Sequence, residues 1–218
     1  YPLTLPLSDA IPALMAGNGI VLKPDAQTPF SALSALHLLY EAGLPEGLFQ
    51  VVVGDGPTLG SAIINNANFV MFTGSTETGK IVAEQCGRRL IGFSAELGGK
   101  NPMIVLDDAP LERAVQGAIT ASFSNAGQLC MSIERMYIQD GIWDEFVPRL
   151  TAEVEKLRLG SAFDFSYDVG ALISQEQLDK VQAHMDDARD HGAGVLAGGR
   201  HRPDIAPFAF EPTLLTNV

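Results

Sequence analysis

Apolar and polar positions in the first half of the chain follow a regular alternation of two patterns. Short runs rich in β-branched residues are each followed by a longer segment with helical periodicity. This order is typical of parallel strands covered by helices. The predicted strands span 19–23, 49–53, 69–72 and 90–96, and helices after the first three of them end near residues 42, 66 and 88.

The pattern changes after Gly98 and Gly99, which separate two predicted domains, residues 1–98 and 99–218. In the second part, Asp107 and Asp108 give a start signal for a helix, and Trp143 is expected in the core. The predicted helices span 109–123, 143–157 and 174–190, and the predicted strands span 101–106, 136–138, 194–197 and 208–210, with a last strand in 213–218. The fold class is therefore α/β.

Composition limits the classes of partner. The chain is 46% hydrophobic and has a net charge of −12 with 14 Lys and Arg residues, which argues against nucleic acid and anionic membranes. It contains no apolar run of about 18 residues. Cys86 and Cys130 form neither a disulfide framework nor a metal-ligand spacing with the four histidines. We expect small-molecule partners or copies of the chain, no metal, and a cytoplasmic location.

The turn between the third strand and its helix carries two glycines and several hydroxyls, in the sequence Phe-Thr-Gly-Ser-Thr-Glu-Thr-Gly-Lys (72–80). Free N–H groups at a helix start attract phosphate, and glycine allows the backbone to approach it. Gly74, Ser75 and Gly79 are therefore candidates for a pyrophosphate site. A purely structural turn is the alternative that this segment alone leaves open.

Two further segments supply a base and a thiol: Ala-Glu-Leu-Gly-Gly-Lys-Asn-Pro (95–102) and Asn-Ala-Gly-Gln-Leu-Cys (125–130). A carboxylate beside paired glycines and a cysteine in a glycine-containing loop are the groups that covalent acyl chemistry needs. Cys130 requires activation, since an ordinary thiol has a pKa of about 8.5. The alternatives are a buried, inert Cys130 and a Glu96 that caps a helix or forms a salt bridge.

In this order, the three segments closely resemble the aldehyde dehydrogenase superfamily, whose Phe-Thr-Gly-Ser-Thr-x-x-Gly, Glu-Leu-Gly-Gly-Lys and Gly-Gln-x-Cys motifs they match. Over most of its length, including 130–135 and 161–173, the chain is most similar to the actinobacterial type of succinate-semialdehyde dehydrogenase. The resemblance implies a Rossmann-like parallel sheet, the C-terminal part of an NAD(P)-binding domain, in 1–98. It implies the N-terminal part of the catalytic, thiol-bearing domain in 99–218. We expect the chain to be an internal fragment, since it starts without Met.

The resemblance also implies a mechanism. Cys130 attacks the aldehyde carbon, and its backbone N–H forms half of an oxyanion hole. The thiohemiacetal passes hydride to the nicotinamide, and Glu96 activates the water that hydrolyses the thioester. Leu97 and Gly98 line the nicotinamide end. The family's second oxyanion donor and its nicotinamide-ribose segment have no counterpart in these 218 residues.

For the cofactor, the resemblance through Leu-Lys-Pro-Asp-Ala-Gln-Thr-Pro (22–29) assigns Lys23 to the adenosine ribose. A solvated surface lysine is the alternative. Many NAD-preferring members have a glutamate at the position of Ala26, where a carboxylate would repel a 2′-phosphate. The sequence therefore predicts that NADP is accepted, with NAD as the other candidate. The further positions expected at the nucleotide are Gly54, Gly74, Ser75, Gly79 and Leu97.

The implied substrate is succinate semialdehyde. Well-characterised members of that group hold the substrate carboxylate with two arginines, and the matching positions here are Ser8 and Ser124. Another or a broad aldehyde specificity is therefore an alternative. Two other classes stay open: a nucleotide-independent thiol hydrolase using Cys130 and Glu96, and a non-catalytic relative or inactive fragment. The full-length protein is expected to be a homo-oligomer.

Overall fold

A computed structural model describes residues 2–218. The chain divides into two compact units, one ending at Gly98 and one beginning at Gly99. The first unit alternates helices with short strands. Its elements are α1 (Thr4–Met15), β1 (Ile20–Leu22), α2 (Pro29–Glu41), β2 (Phe49–Val51), α3 (Gly56–Asn66), β3 (Phe69–Thr73), α4 (Thr76–Arg89) and β4 (Gly92–Glu96).

The second unit continues the α/β pattern and ends in a hydrogen-bonded strand pair. A short 3₁₀ turn, Ser124–Gly127, follows its first helix. Its other elements are β5 (Asn101–Val105), α5 (Leu111–Phe123), β6 (Ile133–Ile138), α6 (Asp140–Val154), α7 (Gln175–Asp190), β7 (Gly194–Ala197) and β8 (Leu214–Thr216).

Strand pairing confirms the predicted α/β class with parallel strands. Three pairs are parallel, β1–β2, β3–β4 and β5–β6, and each is joined through one helix, α2, α4 or α5. Such βαβ crossovers need a connection of a dozen residues or more, which a helix supplies. Hydrogen bonds join the strands of the first unit in two separate pairs. The β7–β8 pair is antiparallel.

Each unit has its own apolar core. In the first, Ala10, Leu36 and Phe49 are buried together, with parts of α1, α2 and β2 around them. In the second, the buried residues of α6 recur every four positions and face α5 and β5: Ile142, Phe146, Leu150 and Val154. Burying one large apolar side chain contributes about 1.5–3 kcal/mol, so this stripe fixes α6 on the β5–α5–β6 unit.

Two predictions for the second unit are wrong. Helix α5 begins at Leu111, with Pro110 as its N-cap, and not directly after Asp107 and Asp108. A proline disfavours helical dihedrals in the residue before it, so the helix cannot extend back through Ala109. Trp143 is 41% exposed, because it lies one position beside the buried stripe of α6.

The predicted strand at 208–210 is also wrong. Ala209 N donates to Ala206 O at 3.0 Å, so the segment turns. Phe210 forms an isolated bridge with His201 and is buried against Leu178 and Met185 of α7.

Within residues 2–218, no helix combines the length and the apolarity needed to cross a membrane.

Candidate active site

Cys130 lies in a loop with a strained backbone, residues 124–132, which we call the thiol loop. Three consecutive residues there adopt left-handed dihedrals: Asn125 (φ 53°), Ala126 (φ 56°) and Gly127 (φ 72°). For Ala126 this conformation costs about 1–2 kcal/mol. Such strain persists only where the surroundings hold it, and it is concentrated at functional sites.

The amide of Gln128 supplies one set of these restraints. Its Oε1 accepts a hydrogen bond from Ile173 N at 2.9 Å, and its Nε2 donates to Asn125 O at 3.1 Å. Asn125 Nδ2 donates in return to Gln128 O at 3.2 Å. The glutamine of the Gly-Gln-x-Cys motif therefore ties the left-handed turn to a segment far along the chain.

A second set of restraints comes from Asn101 and Ser132. Asn101 Nδ2 donates to Cys130 O at 2.6 Å and to Ser132 O at 3.0 Å. Ser132 is buried, and its Oγ lies 3.2 Å from Ala121 O and 3.1 Å from Ser122 O at the end of α5. No local sequence pattern predicts the Asn101 contacts, because they join residues that are distant in the chain.

These contacts leave Cys130 accessible. Its side chain is exposed, and in the described part of the chain its backbone N–H has no hydrogen-bond acceptor. The alternative of a buried Cys130 is therefore wrong for this chain. Cys86 does fit that description: it is 1% exposed, and burial raises the pKa of its thiol.

Glu96 is the last residue of β4, and its side chain is exposed. Its backbone O accepts from Gly74 N at 3.1 Å. Within residues 2–98 its carboxylate has neither a hydrogen bond nor an ion pair, and it caps no helix. The neighbouring cation of the motif, Lys100, pairs instead with Glu134 at 2.7 Å.

The hydroxyl-rich turn begins α4. Ser75 is the N-cap residue: its Oγ accepts from Thr78 N at 3.2 Å and donates to Thr78 Oγ1 at 3.0 Å. The N–H groups of Ser75, Thr76 and Glu77 have no acceptor within residues 2–98. An anion fits these donors and the positive end of the helix dipole, and the exposed Glu77 carboxylate opposes it only weakly through water.

Close packing explains three of the candidate glycines. A Cβ at Gly79 would lie 2.7 Å from Leu97 Cδ2, one at Gly74 would lie 2.6 Å from the Phe72 ring, and one at Gly54 would lie 2.7 Å from Leu59. The turn therefore has a structural role as well, since a larger residue at Gly79 would have to displace the Leu97 side chain from α4.

Lys23 directly follows β1, and its half-buried amine donates to Pro24 O at 3.0 Å. Asp55, which the sequence analysis missed, follows the parallel strand β2 and caps α3. Hydrogen bonds from Thr58 lower the pKa of its carboxyl, and the charge of Lys23 lowers it further. Strands β1 and β2 run parallel, so their C-terminal ends lie at the same edge of the strand pair. This edge is followed by Lys23 on one strand and by Gly54 and Asp55 on the other. Ala26 is exposed in the turn that follows.

The described residues contain no cluster of three or more His, Cys, Asp or Glu side chains that could hold a metal ion. The second unit thus holds a braced thiol loop, and the first unit holds a carboxylate at a strand end and a helix N-terminus with free N–H donors.

The sequence model of the aldehyde dehydrogenase family matches residues 1–218. The chain belongs to this family. Over all 218 residues it is 56% identical to a protein of Mycolicibacterium smegmatis named "Putative succinate-semialdehyde dehydrogenase, NADP(+)". It is 42% identical over 220 residues to the succinate-semialdehyde dehydrogenase, NADP(+), of Escherichia coli K12.

Solved structures show that this aldehyde dehydrogenase chain shares their fold. A crystal structure titled "E. coli NADP dependent enzyme" matches all of the chain with a TM-score of 0.95 and 42% identity. The chain spans about two fifths of the curated relatives, 42% of the M. smegmatis protein and 45% of the E. coli protein, and 45% of the matched crystal chain.

Proposed function

We propose that the protein containing this chain oxidises an aldehyde to a carboxylic acid with NADP or NAD, using Cys130 as the nucleophile and Glu96 as the general base. The observation that carries the proposal is the thiol loop. Its exposed thiol lies beside an unpaired N–H, in a strained backbone that Asn101 and Gln128 hold by hydrogen bonds.

The chemistry proceeds in two halves. The Cys130 thiolate forms a C–S bond to the aldehyde carbon, and the oxygen that becomes negative accepts a hydrogen bond from Cys130 N–H. Such a donor is worth about 3 kcal/mol in comparable sites. The bound nicotinamide supplies the hydride acceptor. Glu96 then takes a proton from water, whose oxygen attacks the thioester, and the C–S bond breaks to release acid and thiolate.

Nucleotide binding is assigned to residues of the first unit. We propose Ser75 and the free N–H groups of the α4 start for the pyrophosphate, Lys23 and Gly54 for the adenosine, and Leu97 for the nicotinamide. Gly74 and Gly79 allow close approach and packing there. The exposed Ala26 adds no negative charge beside Lys23, which favours acceptance of NADP. The relatives that carry NADP(+) in their names agree with this choice.

The two units then have distinct roles. Residues 1–98 form the C-terminal part of the nucleotide-binding domain, and residues 99–218 form the N-terminal part of the thiol domain. We also propose a cytoplasmic homo-oligomer for the full-length protein; both cysteines are free thiols, which suits a reducing compartment.

Succinate semialdehyde is the proposed substrate, because two of the relatives carry that name. Ser8 and Ser124 do not offer a charged clamp for its carboxylate. Their hydroxyls donate to backbone carbonyls, Ser8 to Leu5 O at 3.1 Å and Ser124 to Thr120 O at 2.5 Å. A substrate carboxylate therefore needs other groups of the full-length protein, and a different aldehyde is the second candidate.

An aldehyde panel tests the proposal on the full-length protein. NAD(P)H formation with succinate semialdehyde should exceed that with an uncharged aldehyde of equal length by at least about tenfold in kcat/KM, equivalent to one ionic contact of about 1.4 kcal/mol. Equal values would reject the substrate. Ester hydrolysis that proceeds without nucleotide, together with no NAD(P)H formation, would instead favour a thiol hydrolase.

A further inference from the structure

The side chain of Asn101 connects the end of a strand to the thiol loop. Strand β5 pairs with β6, but the register shifts between Asn101 and Pro102. Pro102 has no backbone N–H to donate. The carboxamide of Asn101 therefore supplies donors where the backbone of the next residue has none.

The two partners of Asn101 fix the orientation of its amide. Cys130 O and Ser132 O can only accept hydrogen bonds, so the NH₂ group must face them. Its two N–H bonds match two carbonyls, at 2.6 Å and 3.0 Å from Nδ2. The residue is half-buried and belongs to strand β5, which pairs with β6 and contributes Val105 to the core of the second unit. The anchor of the contact is thus rigid, whereas the loop it holds is strained.

We propose that Asn101 is a positioning residue for Cys130, a role that rests on the proposed function. By holding the Cys130 carbonyl, it fixes the peptide on the C-terminal side of the cysteine, and it thereby sets the direction of the thiol and of the free Cys130 N–H. Without it, the left-handed strain at Asn125 and Ala126 can relax by rotating the loop, and both groups lose their alignment.

Two variants of the full-length protein separate this role from simple packing. Asn101→Ala removes both donors. Asn101→Asp keeps the shape but presents carboxylate oxygens to two carbonyls at neutral pH, and it regains one O–H donor only when it is protonated. The matched control is Asn66→Ala, which removes an exposed Nδ2 contact to Ala62 O at 2.9 Å in α3.

Both Asn101 variants should lower kcat by about ten- to hundredfold, the size expected for misaligned reacting groups. The KM for NADP should change by less than about twofold, and iodoacetamide should alkylate Cys130 at an altered rate. Asn66→Ala should match the unsubstituted enzyme in all three measurements. For Asn101→Asp, kcat relative to the unsubstituted enzyme should recover as the pH falls from about 8 to about 5.5, because partial burial and two facing carbonyls raise the pKa of a carboxyl.

A purely structural role of Asn101 would not produce this recovery of the Asn101→Asp kcat at low pH. If Asn101→Ala keeps its kcat while Cys130→Ala is inactive, the positioning role is wrong and the proposed function stands. If Cys130→Ala stays active, the proposed function itself fails. Should Asn101→Ala not fold, Asn101→Asp decides, and a folded Asn101→Asp with a constant relative kcat across the pH range overturns the proposal.

Discussion

Gly79 and Leu97 are in direct contact: a Cβ on the buried Gly79 would lie 2.7 Å from Leu97 Cδ2. Helix α4, which starts at the proposed pyrophosphate turn, is therefore packed against the residue that follows Glu96. This contact places the proposed pyrophosphate turn and the strand end that carries the proposed base side by side within the first unit.

Gly79→Ala should be less favourable than Gly87→Ala by at least about 0.5 kcal/mol, because a Cβ at Gly79 must displace the end of the Leu97 side chain. Gly87→Ala is the matched control in the same helix. It is exposed, with no atom within 4 Å of a new Cβ, and should stabilise by about 0.5–1 kcal/mol. Thermal unfolding of both variants tests this prediction, and a Tm of Gly79→Ala equal to or above that of Gly87→Ala would contradict it.

Ser75→Ala should lose an N-cap, at a cost of about 1 kcal/mol, and should also raise the KM for the nucleotide several-fold. Ser174→Ala removes a similar cap from α7, where Ser174 Oγ accepts from Gln177 N at 3.3 Å. The control should therefore lower Tm by a comparable amount with an unchanged nucleotide KM. An equal rise of KM in both variants would show that only stability is involved.

Ala26→Glu should lower the ratio of kcat/KM with NADP to that with NAD by at least about tenfold, because a carboxylate there repels a 2′-phosphate. Ala26→Gln is the neutral control of similar size. It should leave the ratio within about twofold. A ratio that falls equally with glutamine would assign the effect to size instead of charge.

The pair of Arg158 and Asp168 predicts a pH dependence of stability. Hydrogen bonds from Arg158 lower the pKa of Asp168 to about 2. A carboxyl whose pKa is depressed by folding stabilises the protein above its unfolded pKa of about 3.9 and loses that contribution as the pH falls through about 2. Asp168→Asn should thus lower Tm at neutral pH, by an amount that shrinks between about pH 4 and pH 2. A difference that does not change with pH would contradict this.

Helices α1 and α2 show how far the sequence alone predicts the fold. Helix α2 ends next to the predicted residue 42. It begins at Pro29 and is followed by Gly43 at φ +97°, because proline suits the first position of a helix and glycine the position after its end. Helix α1 escaped prediction. Its sequence contains Pro12 inside the helix, a residue that argues against helix, and the packing of Leu7, Ala10 and Leu14 on the first core supports the helix in the structure.

Some residues of the candidate site could be predicted from the sequence and others could not. Glu96, Cys130 and the Ser75 turn were found because their chemistry is concentrated in short motifs. Asn101 and the contact of Gln128 with Ile173 could not be found in this way, because both depend on strand register and on where distant backbone groups lie. Candidate reacting groups can be recognised from local motifs, whereas the residues that hold their backbone become visible only in three dimensions.

The most direct test of the account is NAD(P)H formation from succinate semialdehyde by the full-length Cys130→Ala variant, with Cys86→Ala as the control thiol. Cys130→Ala should lose at least about a thousandfold in kcat, since the nucleophile is removed. Cys86→Ala should stay active, because that thiol is buried in the first unit. Unchanged NAD(P)H formation by a folded Cys130→Ala variant would contradict the account.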